Sequence, residues 1–101
     1  MKCEEVNVIE GENATLRYAT SGVTIFYEID CKTEKKIRRI GQYCGPDEQC
    51  TTSWIAPIVS IEPDHLILYG VTSNQCYSAE HIPGGEKQCY NVTAKSEYVT
   101  V

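Results

Sequence analysis

Apolar and polar positions alternate in short runs along this chain, and the runs are rich in β-branched and aromatic residues. Ala14-Thr15-Leu16-Arg17-Tyr18 and Thr24-Ile25-Phe26-Tyr27-Glu28-Ile29 each read as a strand, bounded by the turn residues Glu10-Gly11-Glu12-Asn13 and Ser21-Gly22. Further strands are predicted over Ile37 to Tyr43, Trp54 to Ile61 with an interruption at Pro57, His65 to Val71, Gln75 to Glu80, Lys87 to Thr93 and Glu97 to Val101. Pro57 lacks the donor that a ladder needs, so its strand is an edge or is broken there. No stretch keeps apolar residues at i, i+3, i+4 and i+7 over ten positions, which argues against a long amphipathic helix. About eight strands with turns every eight to twelve residues predict an all-β sandwich. The clearest turn is Ile82-Pro83-Gly84-Gly85-Glu86, whose glycines can take the positive φ of a tight hairpin. Either Lys87 to Thr93 or Glu97 to Val101 could supply the final strand.

With 101 residues, residues 1–101 form one domain, without internal repeat or linker. Six cysteines change the picture. Cys3, Cys31, Cys44, Cys50, Cys76 and Cys89 make an even, dense set, which in a small domain points to disulfides formed in an oxidising compartment. The sequons Asn13-Ala14-Thr15 and Asn91-Val92-Thr93 agree, because that acceptor pattern has meaning only in the secretory lumen. Met1-Lys2-Cys3-Glu4-Glu5 is no signal peptide and no apolar run spans a membrane. The expectation is an ectodomain excised behind an added Met1, its signal and any anchor lying outside this sequence.

Cys44 and Cys50 flank a Gly-Pro turn at a span suited to a local bridge, and Cys76 and Cys89 flank the Gly84-Gly85 hairpin and could meet across its strands. By elimination Cys3 would join Cys31, although six cysteines allow 15 connectivities. Each bridge is worth about 2 to 4 kcal/mol, a large part of a small domain's stability. A zinc site from Cys76, His81 and Cys89 is the rival use of this sulfur, but the paired close spacings of zinc modules are absent. Catalysis has no better footing. His65 and His81 stand in no hydrolase motif, the even cysteine count leaves no thiol nucleophile, and Glu62 and Asp64 read as solvated residues beside Pro63. The reading is of a protein that is not an enzyme and has no cofactor or metal.

The net charge of −5 has the wrong sign for nucleic acid. Its distribution is uneven: Lys32, Lys35, Lys36, Arg38 and Arg39 crowd a window holding only Glu34, whereas residues 1–31 carry six acids against Lys2 and Arg17. Two readings stand side by side: a solvated hairpin whose lysines discourage edge pairing, and a docking edge built from Lys35, Lys36, Arg38 and Arg39 that steers toward an acidic partner. Seven tyrosines against one phenylalanine suit an interface as well as half-buried strands. Tyr18 and Tyr27 read as core. Tyr43, Tyr77 and Tyr90 are the candidates for an exposed binding face, with Tyr77 and Tyr90 on the sheet face opposite to their neighbouring cysteines. A glycan on Asn91 would occlude part of that surface.

Gly11-Glu12-Asn13-Ala14-Thr15-Leu16-Arg17-Tyr18 resembles the start of strand B in variable-type immunoglobulin domains, with Tyr18 where the cysteine stands. Ile25-Phe26-Tyr27 resembles strand C with Phe26 for the tryptophan, Leu66 to Val71 resembles strand E, and Cys76-Tyr77-Ser78 falls near the strand F "Y-x-C" with Ser78 at the cysteine. Both halves of the usual inter-sheet bridge would thus be missing together, and Trp54 stands outside the usual tryptophan position. The resemblance implies an immunoglobulin-like β-sandwich. Domains that discard this bridge and acquire other disulfides are similar to viral ectodomains, in particular the type I membrane immunoevasins of mouse cytomegalovirus. That likeness implies a non-catalytic viral immunomodulator engaging major histocompatibility complex (MHC) class I or a natural-killer or T-cell ligand. A host or parasite adhesion or receptor module is the alternative, and a secreted cystine-rich inhibitor the third reading.

Overall fold

A computed structural model describes residues 3–19, 22–45, 50–54, 59–82 and 84–96. Nine strands occur among them: β1 (Glu4–Ile9), β2 (Ala14–Arg17), β3 (Val23–Ile29), β4 (Lys36–Tyr43), β5 (Thr52–Ser53), β6 (Val59–Glu62), β7 (His65–Leu68), β8 (Gln75–Ile82) and β9 (Lys87–Lys95). They form a six-stranded sheet ordered β1-β9-β8-β3-β4-β5 and a three-stranded sheet ordered β2-β7-β6. All pairs are antiparallel except β1 with β9, which is parallel. Two facing sheets in this order make an immunoglobulin-like sandwich of the variable type, whose extra strands extend the larger sheet.

The strand at the margin of the large sheet, β1, is absent from the sequence-based set. Its acidic first half hides a short alternation in which Val6 and Val8 pack against the core. The strand ends also differ from expectation: β8 runs on through His81 and Ile82, which pair with Thr24 and Val23 of β3, and β9 runs on through Ala94 and Lys95, which pair with Val8 and Ile9 of β1, while the hairpin between β8 and β9 closes through the His81 and Glu86 backbones. Gly84 and Gly85 take φ of 114° and 67° there, as the turn requires. β7 stops at Leu68, before Gly70 turns the chain at φ 61°. The segment predicted over Trp54 to Ile61 contributes β6 only from Val59; Pro57 lies outside the described residues, as do residues 97–101. Lys87–Lys95 is therefore the strand that lies beside β8, and it also carries β1.

The core lies between the sheets. Ala14, Leu16 and Tyr18 from the β2 segment, Val59 from β6, and Leu66 and Leu68 from β7 face Phe26, Ile40, Ala79, Tyr90 and Val92 from the large sheet. Gly41 allows the sheets to close here: a Cβ at that position would stand 2.4 Å from Ile61 Cδ1 and 2.8 Å from the Thr52 carbonyl oxygen. Tyr18 meets Phe26 edge-on at 4.8 Å and Tyr43 at 5.9 Å between ring centroids. Its hydroxyl donates to the Glu62 carbonyl, and that of Tyr90 donates to the Arg17 carbonyl, so each ring is buried with its polar end satisfied. Strand F registers one residue later than the sequence resemblance suggests. Ser78 points away from the core opposite Cys89, and Ala79, 0% exposed, occupies the inward position. The motif is thus Tyr77-Ser78-Ala79, and the bulky Tyr18 with the small Ala79 replaces two bridged half-cystines.

Burial pushes the Tyr18 and Tyr90 hydroxyls well above the ordinary tyrosine range. In the unfolded chain both ionise near pH 10, by the reference value of about 10. The stability they contribute is fully present below that value and is lost as pH rises from it toward the folded-state values. Urea midpoints measured from about pH 8 to 11 should therefore fall steeply only above about 10, and Tyr18→Phe should flatten that fall.

Three disulfides join Cys3 to Cys89, Cys31 to Cys76 and Cys44 to Cys50. The first two correct the expected Cys76–Cys89 and Cys3–Cys31 pairs. In the β8–β9 ladder Cys89 lies opposite Ser78 and Cys76 opposite Asn91, so the two thiols flanking the hairpin are out of register. Parallel β1, with Glu4 beside Tyr90, instead carries Cys3 to Cys89, with Cα atoms 4.4 Å apart. The end of β3, where Ile29 pairs with Cys76, carries Cys31 to Cys76 at 5.2 Å. None of the three crosses between the sheets.

Candidate interaction surface

The outer face of the six-stranded sheet is laid out by register. Cross-strand neighbours form a row Lys87, Glu80, Ile25, Gln42 and Thr52, a second row Cys89, Ser78, Tyr27 and Arg39, and a third row Asn91, Cys76, Ile29 and Lys36. Cys76 and Ile29, 1% and 2% exposed, form a small second cluster with Cys89, Cys3 and Tyr27 on this face. Two disulfides therefore brace the outer side of the large sheet, where a sandwich ordinarily meets only solvent.

At one end of the face the β3–β4 turn is fixed by Asp30. Its Oδ1 accepts from the Lys32 and Thr33 amides, both at 2.9 Å, and from Thr33 Oγ1 at 3.2 Å. The Thr33 and Lys32 amide bonds hold that carboxyl below the usual aspartate range. The Asp30 amide donates to the Lys35 carbonyl, and Glu34 takes φ 61° to close the turn.

The cations that crowd the sequence here have separate fates. Lys35 is exposed in the turn. Lys36 Nζ lies 2.5 Å from Glu80 Oε2 and 4.4 Å from the Tyr27 ring centroid, and the hydrogen bond to Glu80 raises its pKa. Lys87 approaches the same carboxylate at 3.9 Å. Arg38 Nε donates to Glu28 Oε2 at 2.7 Å on the opposite side of the strand, beside Tyr77 in a cleft of about 260 Å³ between the sheets. Arg39 lies 5.2 Å above the ring of Trp54 and makes no ion pair among the described residues. Trp54 is 48% exposed and is anchored by its amide, which donates to the Ile40 carbonyl. Lys36 and Arg39 thus face outward over aromatic rings, whereas Arg38 belongs to the inner side and carries its own counter-ion.

The tyrosine candidates are corrected. Tyr77 and Tyr90 are direct cross-strand partners and do lie opposite their cysteines, but that side is the interior: Tyr90 is 2% exposed and Tyr77 packs against the core. Burial raises the Tyr77 pKa. Tyr43 meets Tyr18 edge-on in the same core. The alternation that separates these tyrosines from the cysteines was legible, but which face is inside depends on the second sheet. Tyr27, read as core, lies on the outer face. Trp54 is not singled out by charge or alternation; a lone tryptophan displaced from the usual core position is its signal in the sequence.

His81 does not join Cys76 and Cys89. It is buried, with Nδ1 2.9 Å from Thr24 Oγ1 and Nε2 3.1 Å from Gln88 Oε1, while both cysteines are in disulfides. Gln88 Oε1 also accepts from the Ala19 amide, so it is the acceptor for a proton on Nε2, and Thr24 donates to Nδ1. Among the described residues no group of three or more His, Cys, Asp or Glu is arranged to hold a metal ion.

No described protein family matches the sequence, and no curated protein is detectably similar to it. Solved structures are similar in fold. The chain aligns over 100% of its length with 99% of Tim-1 at 17% identity and a TM-score of 0.75, and with 99% of Tim-2 at 15% identity and 0.70. It also aligns with 93% of an extracellular domain of the voltage-gated sodium channel β4 subunit, at 13% identity and 0.64, which was solved as parallel homodimers that explain that subunit's role in cell–cell adhesion. At these identities the shared property is the fold, and this chain has an immunoglobulin-like one.

Proposed function

We propose that this domain is a non-catalytic, protein-binding ectodomain of the receptor or adhesion kind, exposed to an extracellular or luminal space, and that it docks through the outer face of its six-stranded sheet. One observation carries the reading: Arg39 and Trp54 stand exposed and stacked beside Lys36 over Tyr27, on a face held rigid by two disulfides. Tryptophan, tyrosine and arginine dominate the energetics of protein interfaces, and a pre-ordered surface loses less entropy on binding. Arg39, which makes no ion pair among the described residues, suits a partner that presents acidic groups. Similarity in fold to Tim-1, Tim-2 and the sodium channel β4 domain supports the adhesion or receptor reading over the viral one. Engagement of MHC class I by a viral immunomodulator rests on sequence resemblance alone and has no support from these comparisons.

A fluorescent tetramer of the domain, applied to cell lines with and without surface class I molecules, tests this. Trp54→Ala and Arg39→Glu should each weaken cell binding about thirtyfold or more, the equivalent of a hot-spot loss of about 2 kcal/mol. Lys35→Glu should act mainly on the association rate and its salt dependence. Arg17→Ala, on the outer side of the small sheet, should change nothing. Equal binding by all four variants would exclude the outer face as the docking surface, and binding confined to class I-positive lines would restore the viral reading.

A further inference from the structure

The second sequon lies on the same face. Asn91 stands in β9 between core-facing Tyr90 and Val92, so strand alternation turns its side chain outward. Its neighbours in register are Glu5 on β1 and Cys76 on β8, and its Nδ2 is 3.5 Å from Glu5 Oε1. That places it beside β1, the marginal strand of the sheet, where no further strand pairs among the described residues. Arg39 and Lys36 lie on β4, three strand spacings away, or about 14 Å at roughly 4.8 Å per spacing.

We propose that Asn91 is an N-glycosylation site whose glycan covers the β9–β1 margin of the outer face and leaves the strip of Tyr27, Arg39 and Trp54 as the part of that face a protein partner reaches. The inference rests on the secretory reading above, since the modification occurs only in that lumen. In the transfer, Asn91 Nδ2 forms a bond to C1 of a lipid-pyrophosphate-linked oligosaccharide, the C1–O bond to pyrophosphate breaks, and the amide releases one proton. One N–H remains on Nδ2 for Glu5. A glycan at Tyr90 or Val92 would have to enter the core; at Asn91 it projects from the sheet, so a chain modified before folding can still close its sandwich. Such a glycan also shields the outer edge of β1, which pairs with no further strand among the described residues and offers backbone groups to another strand. Asn13 is an internal control. It is exposed in the turn before β2 and its Oδ1 accepts from the Gly70 amide at 3.1 Å, which leaves Nδ2 available for modification away from the outer face.

The chain secreted from mammalian cells behind a signal peptide supplies the test. Treatment with a peptide-N-glycosidase followed by peptide mapping should show Asn91 converted to aspartate; Asn91→Gln should remove one glycan and Thr93→Ser should keep it. Secreted protein modified at Asn13 alone would overturn the proposal while sustaining the secretory reading, and secreted protein unmodified at both sites would overturn it too. Failure of the chain to be secreted would overturn both. Shielding is read separately by NMR relaxation from a soluble nitroxide, comparing glycosylated protein with the same protein after glycosidase treatment, so that no variant need fold. The glycan should reduce relaxation at the Glu5 and Asn7 amides and leave Arg39 and Trp54 unchanged. Equal relaxation at Glu5 in the two forms would rule out the cover.

Discussion

Exchange of Cys3 and Cys89 together for alanine is expected to lower stability by up to about 4.5 kcal/mol, the largest effect of any of the three bridges. Chain entropy sets the order. The Cys3–Cys89 link spans 86 residues, Cys31–Cys76 spans 45 and Cys44–Cys50 only 6. Loop closure then gives ceilings of about 4 kcal/mol for the second pair and about 2.2 kcal/mol for the third. A domain of ordinary stability holds about 5 to 15 kcal/mol, so losing the first bridge leaves it marginal and full reduction should unfold it. Thermal melts of the three double-alanine variants, and of the wild type with and without a reductant, check the ranking. Indifference to reduction would refute it, and an equal loss from all three pairs would show that the bridges do not act by restraining the unfolded chain. The Cys3–Cys89 variant carries a second signature, because that bridge ties parallel β1 to β9: hydrogen exchange should accelerate first in the β1 amides.

Tyr18→Ala should cost about 3 to 5 kcal/mol, the range for removing a large buried ring. The ring touches Phe26 and Tyr43 from the large sheet while its own segment belongs to the small one, so its loss opens a cavity at the seam. Tyr18→Phe keeps the ring and removes the bond to the Glu62 carbonyl; about 1 kcal/mol is expected, since that carbonyl is near solvent. Denaturant midpoints of the two variants separate packing from hydrogen bonding. Where other sandwiches of this type place a covalent bond between sheets, this one places an aromatic contact. If Tyr18→Ala cost no more than Tyr18→Phe, the seam would be held elsewhere.

Fold class was legible because it is written in local pattern. Alternation in Ala14-Thr15-Leu16-Arg17, repeated turn chemistry and the paired replacement of the bridge cysteines all act over a few residues, and each led to a variable-type sandwich. The one-residue error at Ser78 shows the limit: in Cys76-Tyr77-Ser78-Ala79 two small residues adjoin, and alternation alone does not say which of them faces in. The candidate surface was less legible. Lys36 and Arg39 were found by charge crowding, but Arg38 shares that crowding and is turned to the other side of β4 by bulges in the β3–β4 pairing, which sequence does not display.

Local pattern therefore carries the chemistry of single strands and turns: the alternating segments, a Gly84-Gly85 hairpin, sulfur used in pairs, and a basic window at residues 32–39. Which thiols meet and which tyrosines are hidden is set by the pairing of the strands and the packing of the two sheets. Both depend on strands far apart in the chain being neighbours in space. Parallel β1 brings Cys3 to Cys89 across 86 residues, and the small sheet closes over Tyr77 and Tyr90 while Arg39 and Trp54 stay outside. A period of two specifies two faces and leaves the choice between them to whatever packs on one.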